Sequence, residues 1–213
     1  MSSAAEHPSA GRPQIRALRF DADGVLQWPR LDEFDAFAAL GNDQPGFVRE
    51  LFAEEAKTMT GQADLVELLN GVIDRYDVPV TADDLIDVWC QIELRPPMLA
   101  VVAEARAAGL KTALATNQQP RRGAWMQEHL PYADYFDEHC YSFELGVAKP
   151  DPAFFTQVVE RLGVSPSEAV MIDDLPQNIE AARLAGLHGI VCTPEDDAHS
   201  LRARLAGLGV DGF

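Results

Sequence analysis

The sequence has only three lysines, and it has no long uncharged apolar run. Of its 213 residues, 17 are basic and 34 are acidic, so the formal net charge is −17. So few cations offer no basic surface for nucleic acid or for an anionic membrane. A transmembrane helix would need ~18 or more consecutive apolar residues, and no such stretch exists. We therefore expect neither nucleic acid nor a membrane among the partners of this chain.

Cysteine is equally scarce. Cys90, Cys140 and Cys192 are far apart and odd in number, which suits neither a disulfide framework nor a zinc-binding CxxC pair. Their simplest interpretation is as small buried side chains, with a reactive thiol as the alternative. Scarce cysteine suits a reducing compartment, so we expect a cytoplasmic location. Residues 1–13 are polar and lack the apolar core of a signal peptide, which predicts a disordered tail.

The remaining chain has the composition of a folded globular protein, with 47% hydrophobic and 24% charged residues. Short apolar runs that end in polar or turn residues predict strands at 15–21, 111–115, 169–172 and 189–192, with a weaker candidate at 139–143. Helical patterns lie between them at 97–108, 151–163 and 176–185. This alternation from about residue 95 predicts a parallel sheet covered by helices on both faces.

Residues 31–93 break the alternation and show no convincing strand. Their periodicity predicts helices at 31–40, 46–57, 61–76 and 81–91. We therefore predict an α/β protein with a Rossmann-like parallel sheet, in which the first strand is central. Residues 14–30 and 94–213 would form this core domain, and residues 31–93 an inserted all-helical cap domain above the carboxyl end of the first strand.

Polar residues follow the predicted strands at the edge where open parallel sheets bind ligands. They are Asp21, Asp23, Thr116, Asn117, Asp173 and Asp174. Carboxylates this close repel one another and raise each other's pKa, and a divalent cation relieves that repulsion. Oxygen ligands select a hard metal, and Mg²⁺ binds through one or two carboxylates together with substrate phosphate. The sequence thus predicts a Mg²⁺ site at this edge.

Four segments resemble, in the right order, the four motifs of the haloacid dehalogenase (HAD) superfamily. They are Phe20–Leu26 (FDADGVL), Leu114–Asn117 (LATN), Lys149-Pro150, and Met171–Asp174 (MIDD) followed by Asn178. The resemblance covers roughly residues 14–195. It is greatest to small bacterial phosphatases with a helical C1-type cap, similar to α-D-glucose-1-phosphatase-like enzymes.

The resemblance implies a role for each matching residue. Asp21 would be the nucleophile that forms an aspartyl-phosphate, and Asp23 the general acid that later activates water. Thr116 would donate a hydrogen bond to a phosphoryl oxygen, and Asn117 would hold the phosphate or the substrate. Lys149 would neutralise charge on the phosphoryl group and on Asp21.

The resemblance also implies the ligands of Mg²⁺. They would be Asp21, the backbone carbonyl of Asp23, and Asp174. Asp173 would lie beside them, either as a second ligand or through water. Asn178 would pack the loop that follows Asp174.

The expected function is Mg²⁺-dependent hydrolysis of a small phosphate monoester, such as a sugar phosphate, by a monomer or homodimer. The alternatives are a phosphomutase resembling β-phosphoglucomutase, a haloacid dehalogenase, and a non-enzymatic HAD-fold binder. Dehalogenases of this superfamily have no acid two residues after the nucleophile and need no metal. The presence of Asp23 and of the Asp173-Asp174 pair therefore argues against dehalogenation.

Several of these residues also have simple structural explanations. Aspartates after strands often form turns or helix caps, Thr116 and Asn117 could cap the next helix, and Lys149 could be a solvated charge. Candidates for substrate specificity outside the motifs are Trp28, Arg30, Arg49, Glu50, Gln91 and Arg95. Apolar residues at helical spacing predict the cap core: Phe34, Phe37, Phe47, Phe52, Leu65, Leu68, Leu69 and Trp89.

Overall fold

The computed structural model describes residues 14–213, so the tail predicted at 1–13 lies outside the described residues. The strands are β1 (Ala17–Phe20), β2 (Gln27–Pro29), β3 (Ile92–Leu94), β4 (Lys111–Thr116), β5 (Glu138–Tyr141), β6 (Ala169–Asp173) and β7 (His188–Val191). Five of them form one parallel sheet in the order β5-β4-β1-β6-β7. The predicted α/β class is confirmed, and β1 is central as predicted.

Helices cover both faces of this sheet. They are α5 (Pro96–Ala107), α6 (Pro120–His129), α7 (Tyr132–Tyr135), α8 (Ser142–Leu145), α9 (Pro152–Leu162), α10 (Pro176–Leu184) and α11 (Ala198–Gly207), after α1 to α4 earlier in the chain. Apolar residues of α5 and α11 pack with one face of the sheet, and those of α9 and α10 pack with the other. Both faces of the strands are buried, which explains their nearly continuous apolar runs.

Strand β1 is buried along its whole length, including its one charged residue. Arg19 is fully buried, and its Nη1 donates to the carbonyl oxygen of Phe155 at 3.1 Å. Its guanidinium carbon lies 5.9 Å from the centre of the Phe155 ring. Since side chains alternate along a strand, Arg19 lies on the same face as Ala17, toward α9.

Four helices lie between β2 and β3 in the sequence: α1 (Glu33–Leu40), α2 (Phe47–Ala56), α3 (Leu65–Tyr76) and α4 (Ala82–Trp89). We call them the cap helices. They share a core that includes Phe37, Phe47, Leu69 and Trp89. Phe34, predicted to belong to this core, is instead 65% exposed, although its ring lies 5.1 Å from that of Phe52 at the edge of the core.

The strands β2 and β3 form an antiparallel ribbon where the chain enters and leaves the cap helices. The prediction of no strand within residues 31–93 was therefore wrong at its end, where β3 begins at Ile92. Strands of three residues, one of which contains Pro29, are too short to show an alternating pattern.

Helix α6 was not among the predicted helices. Its sequence, PRRGAWMQEH, is polar overall, so no clear apolar stripe marks it. The side chain of Gln119 caps it by accepting hydrogen bonds from the backbone N–H groups of Arg121 and Arg122. No helix within residues 14–213 combines the length and the apolar character needed to cross a bilayer.

Candidate active site

The predicted polar residues converge at the carboxyl ends of β1, β4 and β6. Oxygen atoms from the carboxylates of Asp21, Asp173 and Asp174 lie within 4.8 Å of one another. Parallel strands end at the same edge of a sheet, so adjacent strands bring these side chains together. This group forms the floor of the candidate site.

Lys149 is the counter-charge of this floor. Its side chain is 1% exposed, and Nζ lies 2.9 Å from Asp21 Oδ2 and 2.7 Å from Asp173 Oδ2. Burial lowers the pKa of Lys149, but the two carboxylates raise it by more, so the net shift is upward. Lys149 is therefore a buried ammonium rather than a solvated surface charge.

Asn117 positions the backbone of Lys149. Its Nδ2 donates to the Lys149 carbonyl oxygen, and its Oδ1 accepts from the Lys149 N–H, both at 2.8 Å. Both ends of the Asn117 amide are engaged with Lys149, and the role predicted for Asn117 in holding the phosphate or the substrate stays a prediction. Asn117 does line the pocket above the floor.

The floor suits a divalent cation. Burial raises the pKa of Asp21 to about 8, with Lys149 opposing the rise and Asp173 adding to it. Burial, followed by the charge of Asp173, raises the pKa of Asp174 to about 6. Both shifts mean that the ionised carboxylates are destabilised, and a nearby cation would stabilise them. A set of oxygen ligands alone is the set that Mg²⁺ prefers.

The carboxylate of Asp173 is already occupied by hydrogen bonds. Oδ2 accepts from Lys149 Nζ, and Oδ1 accepts from the Leu175 N–H and from Asn178 Nδ2, both at 2.9 Å. Asn178 thus holds the end of β6 through the Asp173 side chain, whereas we expected it to bond to the backbone of the loop. Of the two neighbouring aspartates, Asp174 is the one with oxygen atoms free for a further ligand.

Gly24 allows Asp174 to approach the first loop. Its φ is +75°, and a Cβ added there would lie 2.5 Å from Asp174 Oδ2. Any side chain at this position would displace the Asp174 carboxylate and would also strain the backbone. This requirement explains the glycine that follows Asp23.

Asp23 is held as a carboxylate. Arg122 Nη1 donates to Asp23 Oδ2 at 2.6 Å, and Arg122 Nη2 donates to Oδ1 at 2.8 Å. Gln27 and Gln118 each donate a further hydrogen bond, at 2.8 Å and 2.7 Å. Burial raises the pKa of Asp23, but the Arg122 guanidinium and these hydrogen bonds outweigh it and lower the pKa to about 2.

Arg122 was not foreseen as a site residue. It lies on α6, and its side chain is only 7% exposed. Its Nε donates to the carbonyl oxygen of Trp89 at 2.7 Å, so it connects Asp23 to the last cap helix. A charged residue 99 positions from Asp23 gives no local sequence signal of such a pairing.

A pocket of about 170 Å³ lies above Asp23, between the core and the cap helices. The core side is Asp23, Asn117, Gln118 and Arg122, and the cap side is Glu33, Phe52, Glu55, Met59 and Trp89. Burial raises the pKa of Glu55 to about 8, with Arg122 opposing the rise. A larger depression of about 450 Å³ near Arg106 contains none of the predicted site residues, since it lies at the opposite end of β4.

The specificity candidates outside the motifs do not line this pocket within the described part of the chain. Arg95 donates to the carbonyl oxygens of Gly24, Val25 and Asp196, and its guanidinium lies 4.8 Å from the centre of the Trp28 ring. Other candidates have partners of their own or lie at the surface: Arg30 donates to Ile92, Glu50 pairs with Arg75, Gln91 donates to Asp87, and Arg49 is exposed.

The fold and the converging residues define an α/β protein with helices inserted above a carboxylate-lined site. A family model described as haloacid dehalogenase-like hydrolase matches residues 4–186. The chain therefore belongs to the haloacid dehalogenase-like hydrolase family.

Known relatives include proteins named as phosphatases. The chain is 32% identical over 215 residues to phosphorylated carbohydrates phosphatase of Thermotoga maritima, covering 91% of this chain and 94% of that protein. It is 37% identical over 139 residues to phosphoserine phosphatase of Thermus thermophilus, covering 61% of this chain but only 56% of that protein. A HAD family enzyme of Bacteroides thetaiotaomicron, solved with magnesium and inorganic phosphate, has the same fold, with a TM-score of 0.75, 22% identity, and coverage of 86% and 96% of the two chains.

Proposed function

We propose that this protein hydrolyses small phosphate monoesters with Mg²⁺, through a phosphorylated Asp21. One observation supports this most directly: Asp21 pairs at 2.9 Å with a buried lysine and shares an oxygen cluster with Asp173 and Asp174. The names of the relatives from Thermotoga maritima and Thermus thermophilus agree with phosphoryl chemistry.

The carboxylates of Asp21 and Asp174, with the backbone carbonyl of Asp23, would hold Mg²⁺. Asp173 would position Lys149 and the following loop, because its oxygens are occupied. The bound cation supplies positive charge to the phosphoryl oxygens, which makes the phosphorus more electrophilic.

In the first half of the reaction, an Asp21 oxygen bonds to phosphorus while the bond from phosphorus to the ester oxygen breaks. Asp23 gives its proton to the departing alkoxide, so the product leaves as a neutral alcohol. Lys149 stabilises the phosphoryl charge. Thr116 Oγ1 accepts from Gln118 Nε2 at 3.1 Å, which leaves the hydroxyl proton of Thr116 free for a phosphoryl oxygen.

In the second half, the Asp23 carboxylate takes a proton from water while the water oxygen bonds to phosphorus. The bond between phosphorus and Asp21 breaks, and Asp23 is again protonated. The four hydrogen bonds to Asp23 suit the carboxylate required here. A bound phosphate dianion beside Asp23 favours its protonation in the first half, because like charges raise a pKa.

The test is phosphate release from a panel of phosphate monoesters, with Mg²⁺ or with EDTA. Wild type is compared with Asp21→Asn and with Asp74→Asn, an exposed control on α3. We expect release by wild type and by the control, with Mg²⁺ only, and none by Asp21→Asn. Substantial turnover by Asp21→Asn would refute the nucleophile. Interconversion of sugar phosphate isomers without phosphate release would identify a mutase instead.

A further inference from the structure

Glu55 is a buried residue whose carboxyl group has no hydrogen-bond donor among residues 14–213. It is 7% exposed, and the side-chain hydrogen bond at this residue runs from Thr58 Oγ1 to the backbone carbonyl oxygen of Glu55. Burying a polar group without a partner is unfavourable, and nearly all such groups in folded proteins are paired. Glu55 lines the pocket above Asp23, so the missing partner is expected to enter that pocket.

The walls of the pocket favour a cation. Glu33 supplies a second carboxylate from α1, while Arg122 is engaged with Asp23 by two hydrogen bonds. The rings of Phe52 and Trp89 lie 6.2 Å apart and nearly perpendicular to each other. Carboxylates next to aromatic rings are a combination that binds ammonium groups, and the same surroundings repel an anion.

We propose that the leaving group of the substrate is a small amino alcohol, whose ammonium group binds Glu55 and Glu33. This inference rests on the proposed phosphatase function, because it assigns the part of the ester that lies beyond the phosphate. The cavity of about 170 Å³ has room for several groups the size of water, so it accommodates an ethanolamine-sized alcohol.

Two phosphate esters of equal size show whether the enzyme recognises the charge of the leaving group rather than its shape, and a third ester carries the opposite charge. Phosphoethanolamine has an ammonium group where 2-hydroxyethyl phosphate has a hydroxyl group, and phosphoglycolate has a carboxylate near the same place. We expect wild type to have a kcat/KM at least tenfold higher for phosphoethanolamine than for the neutral ester, and lowest for phosphoglycolate. Equal values for the first two, or a preference for the neutral ester, would overturn the inference.

Substitutions of Glu55 and Glu33 then test whether these residues cause the preference for phosphoethanolamine. Glu55→Gln keeps the shape of the side chain but prevents it from ionising when an ammonium group binds, so the ratio of the two kcat/KM values should fall at least fivefold. Glu33→Gln should lower the ratio in the same direction and serves if the first variant fails to fold. Glu67→Gln, an exposed residue of α3, is the matched control and should keep the wild-type ratio. An unchanged ratio in both pocket variants would refute the assignment.

Two further readouts keep this inference separate from the proposed function. Hydrolysis of p-nitrophenyl phosphate by wild type tests the phosphatase without an ammonium group. Titration calorimetry of Asp21→Asn with the two matched esters and Mg²⁺ tests binding without turnover. Hydrolysis without any preference would leave the phosphatase standing and overturn the ammonium site. If Asp21→Asn instead binds phosphoethanolamine at least tenfold more tightly than the neutral ester while wild type hydrolyses neither, that result would support the ammonium site and overturn the phosphatase.

Discussion

Binding of Mg²⁺ to this site should release protons and strengthen as pH rises. The reason is that a carboxylic acid must lose its proton before it becomes a metal ligand. Burial raises the pKa of Asp21 to about 8 and that of Asp174 to about 6 in the metal-free protein. The protonated forms therefore compete with the cation across the neutral range.

The magnitude follows from these two values. At pH 6 about half of Asp174 is ionised, and at pH 8 about 99% of it. Burial raises the pKa of Asp21 further, so its ionised fraction also increases across this range. The apparent affinity should therefore rise by about tenfold or more between pH 6 and pH 8, with protons released from both groups.

Titration calorimetry measures both quantities. Mg²⁺ is added at pH 6, 7 and 8 at constant ionic strength, in pairs of buffers with different ionisation enthalpies. The slope of the observed enthalpy against the buffer enthalpy gives the number of protons released. Asp174→Asn should bind Mg²⁺ far more weakly, and Asp74→Asn, an exposed control, should behave as wild type.

A flat affinity between pH 6 and pH 8, with no proton release, would refute this reasoning. It would mean that Asp21 and Asp174 are both ionised without the metal, so that Lys149 outweighs burial. An unchanged affinity in Asp174→Asn would instead move the metal ligand to Asp173.

Three other substitutions test separate parts of the site. Lys149→Met should lower the free energy of unfolding by about 3 kcal/mol in urea denaturation at pH 7, because the fully buried Asp173 loses its counter-charge; a loss below about 1 kcal/mol would contradict this. Arg122→Met should raise the pKa of Asp23 from about 2, followed by carboxyl NMR, and should lower kcat for alkyl phosphates by about 100-fold, because Asp23 loses its fixed orientation. The kcat for p-nitrophenyl phosphate, whose leaving group needs no proton, should fall less, and equal decreases for both substrates would exclude a role for Arg122 in positioning the acid. Gly24→Ala should weaken Mg²⁺ binding measured by calorimetry, because the Cβ of the alanine would displace the Asp174 carboxylate. A wild-type affinity in this variant would show that Gly24 is not needed to make room for Asp174.

The floor of the site could be predicted from sequence because short-range patterns determine it. The apolar run before Asp21 ends where β1 ends, and the run before Asp173 corresponds to β6. Once these strands are parallel neighbours, the rule that ligands bind at the carboxyl ends requires no further information. The same reasoning placed Thr116 and Asp174, and the structure brings the carboxylates of Asp21, Asp173 and Asp174 together.

Arg122 could not be predicted in this way because its partner is remote. Helix α6 has little apolar periodicity, and Arg121 and Arg122 look alike in the sequence. Only the packing of α6 against α4 shows that Arg122 points inward, to Asp23 and Trp89, while Arg121 pairs at the surface with Asp83. Contacts between elements that are distant in sequence are set by tertiary packing, which local periodicity does not encode.

Glu55 differs from Arg122, because a signal for it was present in the sequence. Phe47, Leu51 and Glu55 follow one another at intervals of four residues, and all three are buried on the same side of α2. A carboxylate on the apolar stripe of a helix must find a partner inside the protein or a ligand. In our proposals, residues at the strand ends perform the reaction, whereas Glu55 and Glu33 on the buried faces of the cap helices select the alcohol.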